Sequence, residues 1–526
     1  MEKNVDLLEK EIELKNKEIE DLKNRISFLE NQILNKNRKI FGKSSEQIDS
    51  NQLNFFDEAE SNLNAKTKEP TVEEITYKRN KPSKNHTMQD KFSDLDIVEI
   101  YHELENTKCD ICNLDMEIIG KKTKDVLRYE PEKMYIERHI ILSYACKNCE
   151  QTTGEANIIT AEVPKTLIAK SMASNELLAH IITSKYQYAL PLYRQEAYFK
   201  NLGVCLSRQT MSNWIIACAN KLDVVYEKFR ERLLASNYVQ ADETPVKVLD
   251  SKLNESKSKK YMWLYKTGQL ENQVILYDYQ KTRSSSCPEK FLKGFEGYLQ
   301  TDGYVGYNKL VKENKNITHI NCMAHIRRKF YEAIAPLLKD KEALKDSKDI
   351  IGFNYCEQIY KLEQQIKEEH LEDKDFYKKR YEMRQENLKP LLEKFITFVE
   401  EEIGNALEQS AFGKALKYAN TCLPNMKNVL EDGSLEIDNN AAERAIKPFV
   451  IGRKNWLFSN TSKGAKASAT LYSIIETAKA NNLVAERYLK YLFDKLTGID
   501  DISTIEIEDL MPWSSDLPEY IKNPSK

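Results

Sequence analysis

Branched aliphatic residues recur every seven positions at the start of the chain, at Val5, Ile12, Ile19, Ile26 and Ile33. Leu8, Leu22 and Leu29 fall three residues after their neighbours, with Lys15 in the remaining slot of that second series. This spacing is the a/d seam of a coiled coil, and β-branched residues at a with leucine at d favour two parallel strands. The stripe is narrow and densely charged on its flanks, so residues 1–40 are expected to pair with a second copy of the chain. The alternative is a lone amphipathic helix docked on the body. From 41 to 95 the periodicity stops, and Asn, Ser, Lys and Glu leave too little apolar surface for a core; the segment is expected to be a linker. Its basic run YKRNKPSKNH is either a phosphate contact or simply solvated.

Residues 96–165 hold the strand-like run MYIERHIILSYA between two cysteine pairs, CDIC and CKNC. Cys109, Cys112, Cys146 and Cys149 have the CxxC…CxxC spacing of a tetrahedral thiolate cage for Zn²⁺, and four thiolates leave no open position for chemistry. A redox dithiol is the other reading. Cys205, Cys218, Cys287, Cys322, Cys356 and Cys422 have no such pairing and read as small buried apolar residues. Over 166–232 the period becomes helical. LPLYRQEAYFKNLGVCLSRQTMSNWI predicts a helix, a turn at Gly203, an N-cap at Ser207 and a second helix. Arg208, Gln209 and Asn213 would then be offered to a DNA groove in helix-turn-helix fashion. An ordinary helical hairpin packed by Leu206, Met211, Trp214 and Ile215 has the same pattern.

The remainder reads as one α/β domain, 233–330 with 431–480, interrupted by a helical insertion at 331–430 and followed by a helical tail at 481–526. The runs NYVQADETPVKVL, KYMWLYK, QVILYDYQ, GYLQTDG and ITHINCM predict strands, in the order β, β, β, helix, β, helix, β, helix. That order matches a ribonuclease H-like layout, so the chain is expected to be a multidomain α/β protein.

Three acids stand out within this domain. Asp242 lies in the first strand, Asp302 at the end of the fourth, and Glu443 on the helix of DNNAAERAIKPFVIGRKNWLF. Carboxylates from separate elements are the natural cage for Mg²⁺ or Mn²⁺, and such ions can stabilise both oxygens of a phosphodiester displacement. Any one of the 82 Asp and Glu is by itself more simply a solvated charge. Asp438 or Asn439 can cap the helix of Glu443, which is expected on the second turn, with Pro448 breaking or kinking the helix nearby. Adjacent Glu243 should point to the opposite face of its strand from Asp242.

Arg444, Lys447, Arg453, Lys454, Lys463 and Lys466 follow Glu443 with Trp456 and Phe458 interleaved, and His325, Arg327, Arg328 and Lys329 form a second basic cluster. Both suit a DNA backbone, with rings for unpaired bases, or are solvated helix faces. The expected DNA contacts are Arg208, Gln209, Asn213, Arg327, Arg328, Arg444, Lys447, Arg453, Lys454 and Trp456. The net charge of −3 over 526 residues gives no global pull toward nucleic acid, so binding must come from these patches. No run of about 20 apolar residues exists and the N-terminus lacks a signal-peptide core. The expected location is therefore the cytoplasm, with the nucleoid, and no membrane partner.

In order along the chain, the cysteine pairs, KYQYALPLYRQEAYFKNLGVCLSRQTMSNW, ADETPVKVL, LQTDGYVGYNKL, CMAHIRRKF, DNNAAERAIKPFVIGRKNWLF and LYSIIETAKANNL resemble the insertion-sequence-sixty-six family of bacterial transposases. The resemblance runs from the heptads to about residue 495. It implies a DDE-class enzyme with Asp242, Asp302 and Glu443 as the metal-binding triad. It also implies action on terminal inverted repeats and target DNA, and two small accessory proteins of the same element as partners. Asn113 stands where a glycine is common, and the linker lacks the fuller basic, Gly-containing run often found there; the second departure puts the linker's DNA contact in doubt. Two other classes fit parts of the pattern. A DNA-binding regulator needs only the heptads, cysteine pairs and helical region, and a structure-directed nuclease of the same fold would cut without joining.

Overall fold

The computed structural model describes Lys15 and residues 134–146, 157–160, 162, 164–249, 259–268, 272–337, 347–371, 373–499 and 506–524. Apart from Lys15 the heptads, and with them the linker and Cys109, Cys112 and Cys149, lie outside the described residues. The chain divides into two compact units, Met1–Asn35 with His139–Lys526, and Lys36–Arg138. Of the second unit only 134–138 are described, and the account below concerns the first. Cys146 ends a short strand, β1 (Ser143–Cys146), which pairs antiparallel with β2 (Asn157–Thr160).

Five strand-like runs become one mixed sheet. Its strands are β3 (Tyr238–Val246), β4 (Lys260–Thr267), β5 (Ile275–Gln280), β6 (Gly297–Thr301) and β7 (Ile317–Asn321), in the order β5-β4-β3-β6-β7. β3, β4 and β5 form an antiparallel meander, β3 pairing with β4 and β4 with β5; β6 and β7 add in parallel to the other side of β3. The parallel additions need crossovers, and these carry the short helices α4 (Ser286–Phe291) and α5 (Asn308–Glu313). β4 is buried along nearly its whole length, consistent with its continuous apolar sequence.

The edge strand β5 is covered in an unusual way. Helix α12 (Ser462–Ala480), rich in Ala, Ser and Thr, lies close enough for its hydroxyls to replace a neighbouring strand. Ile275 N–H donates to Thr477 Oγ1 at 3.0 Å, Thr477 Oγ1 donates back to Ile275 O at 2.9 Å, and Tyr277 N–H donates to Ser473 Oγ at 2.8 Å. The outward groups of Ile275 and the Tyr277 N–H are thereby satisfied, which blunts this half of the edge against pairing with another chain.

Three helices precede the sheet: α1 (Asn175–Tyr186), α2 (Leu192–Asn201) and α3 (Arg208–Leu234). The turn between α2 and α3 uses Gly203 at φ +81°, a conformation open to glycine without penalty. Ser207 caps α3 by accepting Thr210 N–H at 3.1 Å. Leu206, Met211, Trp214 and Ile215 are buried, while Arg208, Gln209 and Asn213 face solvent. α1 packs on α13 (Ala485–Leu496) and α3 on α12, so these helices share the body of the unit. Beyond α13 the described tail, 506–524, contains turns and short 3-10 helices instead of a continued helix.

The insertion follows α6 (Met323–Ile334) and comprises α7 (Lys348–His370), α8 (Phe376–Met383), α9 (Lys389–Ile403) and α10 (Ala411–Met426). Its core is continuous with the sheet domain: Tyr238, Ile320, Met323, Ile326 and Phe330 pack in one cluster with Cys356, Leu392, Phe395, Leu416 and Leu423. Two fully buried arginines, Arg380 and Arg384, grip Glu363, and Arg380 also holds Glu436 on the segment that leads back to the sheet. The returning helix, α11 (Asn440–Trp456), lies across β3 and β4.

Candidate active site

The register of β3 and β6 brings two of the three acids together. The strands pair in parallel at Tyr238–Tyr298, Val239–Leu299 and Gln240–Gln300. Continued by two residues, that register sets Asp242 beside Asp302, just where the strands diverge at their carboxyl ends. In open α/β sheets such a divergence is where ligands bind. Asp302 also shapes its own turn, its Oδ1 accepting Tyr304 N–H at 2.9 Å. At the next residue, Gly303, a Cβ would meet Tyr418 Oη of α10 at 2.6 Å, so any larger residue there would push that ring aside. Gly303 N–H instead donates to that hydroxyl at 3.1 Å, so the insertion buttresses the turn.

Glu443 reaches the same place through a staple of side chains from both strands. Gln300 Nε2 donates to Glu436 O at 2.7 Å, Gln240 Nε2 to Asp438 O at 3.3 Å, and Asn439 Nδ2 to Ala241 O at 2.9 Å. Met323 N–H donates to Ile437 O at 3.0 Å from the start of α6. Asn439 holds the N-cap position and Asp438 Oδ1 accepts Asn440 N–H at 3.1 Å. Glu443 therefore lies in the first turn of α11, one turn earlier than the sequence suggested. Nor does Pro448 break the helix, which runs on to Trp456; a proline's missing N–H removes one bond that the packing against β3 and β4 outweighs. Because Asn439 is buried and Ala241 directly precedes Asp242, Asn439→Ala should leave a buried carbonyl unpaired. Thermal melts should show a loss of about 1–3 kcal/mol, and the start of α11 should lose its register on β3.

The acids act on one another through their charges. Burial pushes the Asp242 carboxyl up to about 8, with the charges of Glu243, Asp302 and Glu443 adding to the rise. Asp242 Oδ1 accepts the N–H of Glu243 at 2.8 Å. Glu243 is also raised by burial and then by Asp302, but it has partners of its own: Arg283 Nε at 2.8 Å and Tyr307 Oη at 3.0 Å. Its carboxylate is thus already neutralised, with the Arg283 guanidinium 3.7 Å from the centre of the Tyr304 ring. Glu443 Oε1, in contrast, is buried without a hydrogen-bond partner.

The residues expected to touch DNA fall in several places. Arg444 and Lys447 flank Glu443 on α11, Arg444 exposed and Lys447 half-buried. Arg453 is engaged internally, Nη1 donating to Thr244 Oγ1 at 3.1 Å and to Pro245 O, which pins the end of α11 to β3. Lys454 is exposed, about 16 Å along the helix from Glu443 at 1.5 Å per residue. Trp456 packs edge-on against Phe449, ring centres 5.6 Å apart. Arg328 is exposed beside the site, whereas Arg327 is tied to Glu357 of the insertion at 2.5 Å. Gln209 Nε2 donates to Asn213 Oδ1 at 3.0 Å on the open face of α3, where Arg208 lies too. His325 was grouped in sequence only with its basic neighbours; in the fold its Nε2 lies 3.8 Å from Glu443 Oε1. The CxxH spacing of Cys322 and His325 is the one signal that could have found it.

Comparison with known families gives this arrangement its setting. The family model described as Transposase IS66 family matches residues 170–467, more than half of the 526. The chain belongs to the IS66 transposase family. The family's other parts match as well: the zinc-finger binding domain over 106–150, the IS66 C-terminal element over 473–513, and the element described as Transposase C of IS166 homeodomain over 29–100. That last match spans the whole of the segment expected to be a linker. Among similar proteins, the uncharacterized protein y4qI of Sinorhizobium fredii is 31% identical over 417 residues, covering 77% of this chain and 73% of its own. Another from the same organism, y4jD, is 28% identical, covering 79% of this chain and 80% of its own. As a member of this transposase family the chain has DNA as its partner. Among the described residues no helix is long and apolar enough to cross a membrane.

Proposed function

We propose that the chain cleaves phosphodiester bonds at the ends of an insertion sequence and joins the freed 3′-hydroxyl to target DNA, using a divalent ion held by Asp242, Asp302 and Glu443. The observation that carries this reading is the meeting of Asp242 and Asp302 at the diverging carboxyl ends of β3 and β6, with the first turn of α11 stapled over them. The sheet supports it: an antiparallel meander extended by two parallel strands, with acids on the first and after the fourth, is a ribonuclease H-like plan.

The donor set fits Mg²⁺ or Mn²⁺. It is made of hard carboxylate oxygens, and Asp242, pushed up to about 8 by burial and the neighbouring carboxylates, would be relieved by a cation. When bound, such an ion would polarise the scissile phosphate and make water, or later a 3′-hydroxyl, a better nucleophile. The protein's own part is positional. β3 and β6 fix two carboxylates, α11 delivers the third, and the insertion holds the Asp302 turn through Tyr418. Arg444 and Lys447 place positive charge next to Glu443 where a DNA backbone would run, and the start of α3 offers a further contact. The amino-terminal heptads would pair two copies. A structural Zn²⁺ would be held by Cys109, Cys112, Cys146 and Cys149, and Cys146→Ser should release it in a metal measurement.

The deciding test incubates the full chain with DNA bearing the element's terminal repeats and with target DNA, with and without Mg²⁺. The expected products are nicked ends with free 3′-hydroxyls and joint molecules with target. Cutting without joining would replace this reading with that of a nuclease. Tight binding to the repeats with no metal-dependent cutting would leave a DNA-binding regulator.

A further inference from the structure

A second donor set, different in chemistry, overlaps the oxygen cage. Cys322, the residue before α6, His325 on its first turn and Glu443 on α11 each offer a ligand atom, and these atoms all lie within 4.8 Å of one another. Ligands around a tetrahedral Zn²⁺ at bond lengths of 2.0–2.3 Å sit about 3.5 Å apart, so small side-chain adjustments of about 1 Å would close the set. Two of the three residues carry buried atoms with no hydrogen-bond partner, His325 Nδ1 and Glu443 Oε1. Buried polar atoms are nearly always paired, and two orphans on residues of one donor set call for an explanation. The sulfur stands at a helix N-terminus and accepts Asn439 N–H at 3.2 Å, while burial holds it as the thiol until a cation displaces the proton.

We propose that Cys322, His325 and Glu443 form a site for a thiophilic divalent cation such as Zn²⁺, competing with the oxygen cage for Glu443. The chemistry separates the two. Thiolate and imidazole strongly favour Zn²⁺ over Mg²⁺, whereas the all-carboxylate set discriminates weakly and takes the more abundant Mg²⁺. Three protein ligands leave one position for water. His325 and Glu443, with 24% and 29% of their side chains exposed, give the ion a way in, while Cys322 closes the site from inside. On binding, the Cys322 thiol gives up its proton to solvent. Glu443, drawn toward the zinc, is withdrawn from Asp242 and Asp302, so zinc would act as a brake on cutting. That last consequence rests on the function proposed above; the site itself rests on the donor geometry alone.

The test uses the full chain with its cysteine-pair zinc in place and Co²⁺ as the probe. One equivalent should produce a thiolate-to-cobalt charge-transfer band in the near ultraviolet that is absent in Cys322→Ser. His325→Gln should weaken cobalt binding by at least about tenfold, as expected for loss of one ligand; this more exposed position keeps the test decisive if the serine variant does not fold. A band that persists in Cys322→Ser, no band in the parent, or unchanged affinity in His325→Gln would overturn the site. In a parallel arm with Mg²⁺ present, micromolar Zn²⁺ should inhibit strand cleavage in the parent and much less in Cys322→Ser, each compared with its own zinc-free rate. If zinc binds but does not inhibit, the competition for Glu443 is wrong. A chain that cuts nothing even without zinc would refute the cleavage reading, while the cobalt band would still decide the site.

Discussion

Asp302→Asn is expected to lower strand cleavage by at least about 10³-fold, equivalent to about 4 kcal/mol of lost barrier stabilisation. The substitution is narrow. Asparagine keeps the oxygen that accepts Tyr304 N–H, so the turn and its contact with Tyr418 survive, and only a negative ligand is lost. Binding to terminal-repeat DNA should stay within about threefold, because it draws on basic residues elsewhere on the surface. Parallel cleavage and gel-shift measurements on parent and variant separate the two effects. Cutting within tenfold of the parent would remove Asp302 from the triad and, with it, the proposed mechanism.

The largest stability effect is expected at Glu363. Arg380 and Arg384 are wholly buried; Glu363 accepts from Arg380 Nε and Nη2 at 3.0 and 2.8 Å and from Arg384 Nε at 2.5 Å. Arg380 keeps Glu436, but Glu363→Ala would leave the buried Arg384 guanidinium without a carboxylate, a loss of about 3–5 kcal/mol that a thermal melt should register, with Glu363→Gln less severe. A melt unchanged by the alanine would mean that water or rearrangement satisfies the arginines.

Acid should probe the same network. Burial alone would raise the Glu436 carboxyl, but Arg380, with Lys367 behind it, outweighs that and holds it at about 2 against an ordinary 4.5. A depressed carboxyl stabilises the fold above its unfolded value, so this contribution is intact above about 4.5 and fades as the pH falls toward 2. Glu436→Gln should flatten that part of the stability profile.

The strands were readable because their chemistry is local. The runs around Asp242, Tyr265, Tyr277, Leu299 and Ile320 are β-branched and aromatic, and each becomes a strand of the sheet. The cap at Ser207 and the turn at Gly203 were readable for the same reason. What depends on packing was not. Pro448 looked like a stop, yet tertiary contacts carry α11 through it. Gly303 gave no hint that Tyr418, far along the chain, needs its missing side chain. His325 looked like one more basic residue of a surface cluster; only the approach of α11 turns it toward Glu443. Arg327 and Arg453 likewise resembled DNA contacts by charge, and the fold shows each with an internal partner that no spacing rule reveals.

The bond from Asn439 to Ala241 joins residues 198 positions apart. On the ribosome, at about 5–20 residues per second, Asp242 emerges roughly 10–40 s before that clasp can close. A polypeptide cut short in that interval would carry α1, α2 and α3 but not the third acid. Such a fragment would also lack α12 and α13, the helices against which α3 and α1 pack, so an interrupted chain would be unfinished in its helical half as well as at its acids.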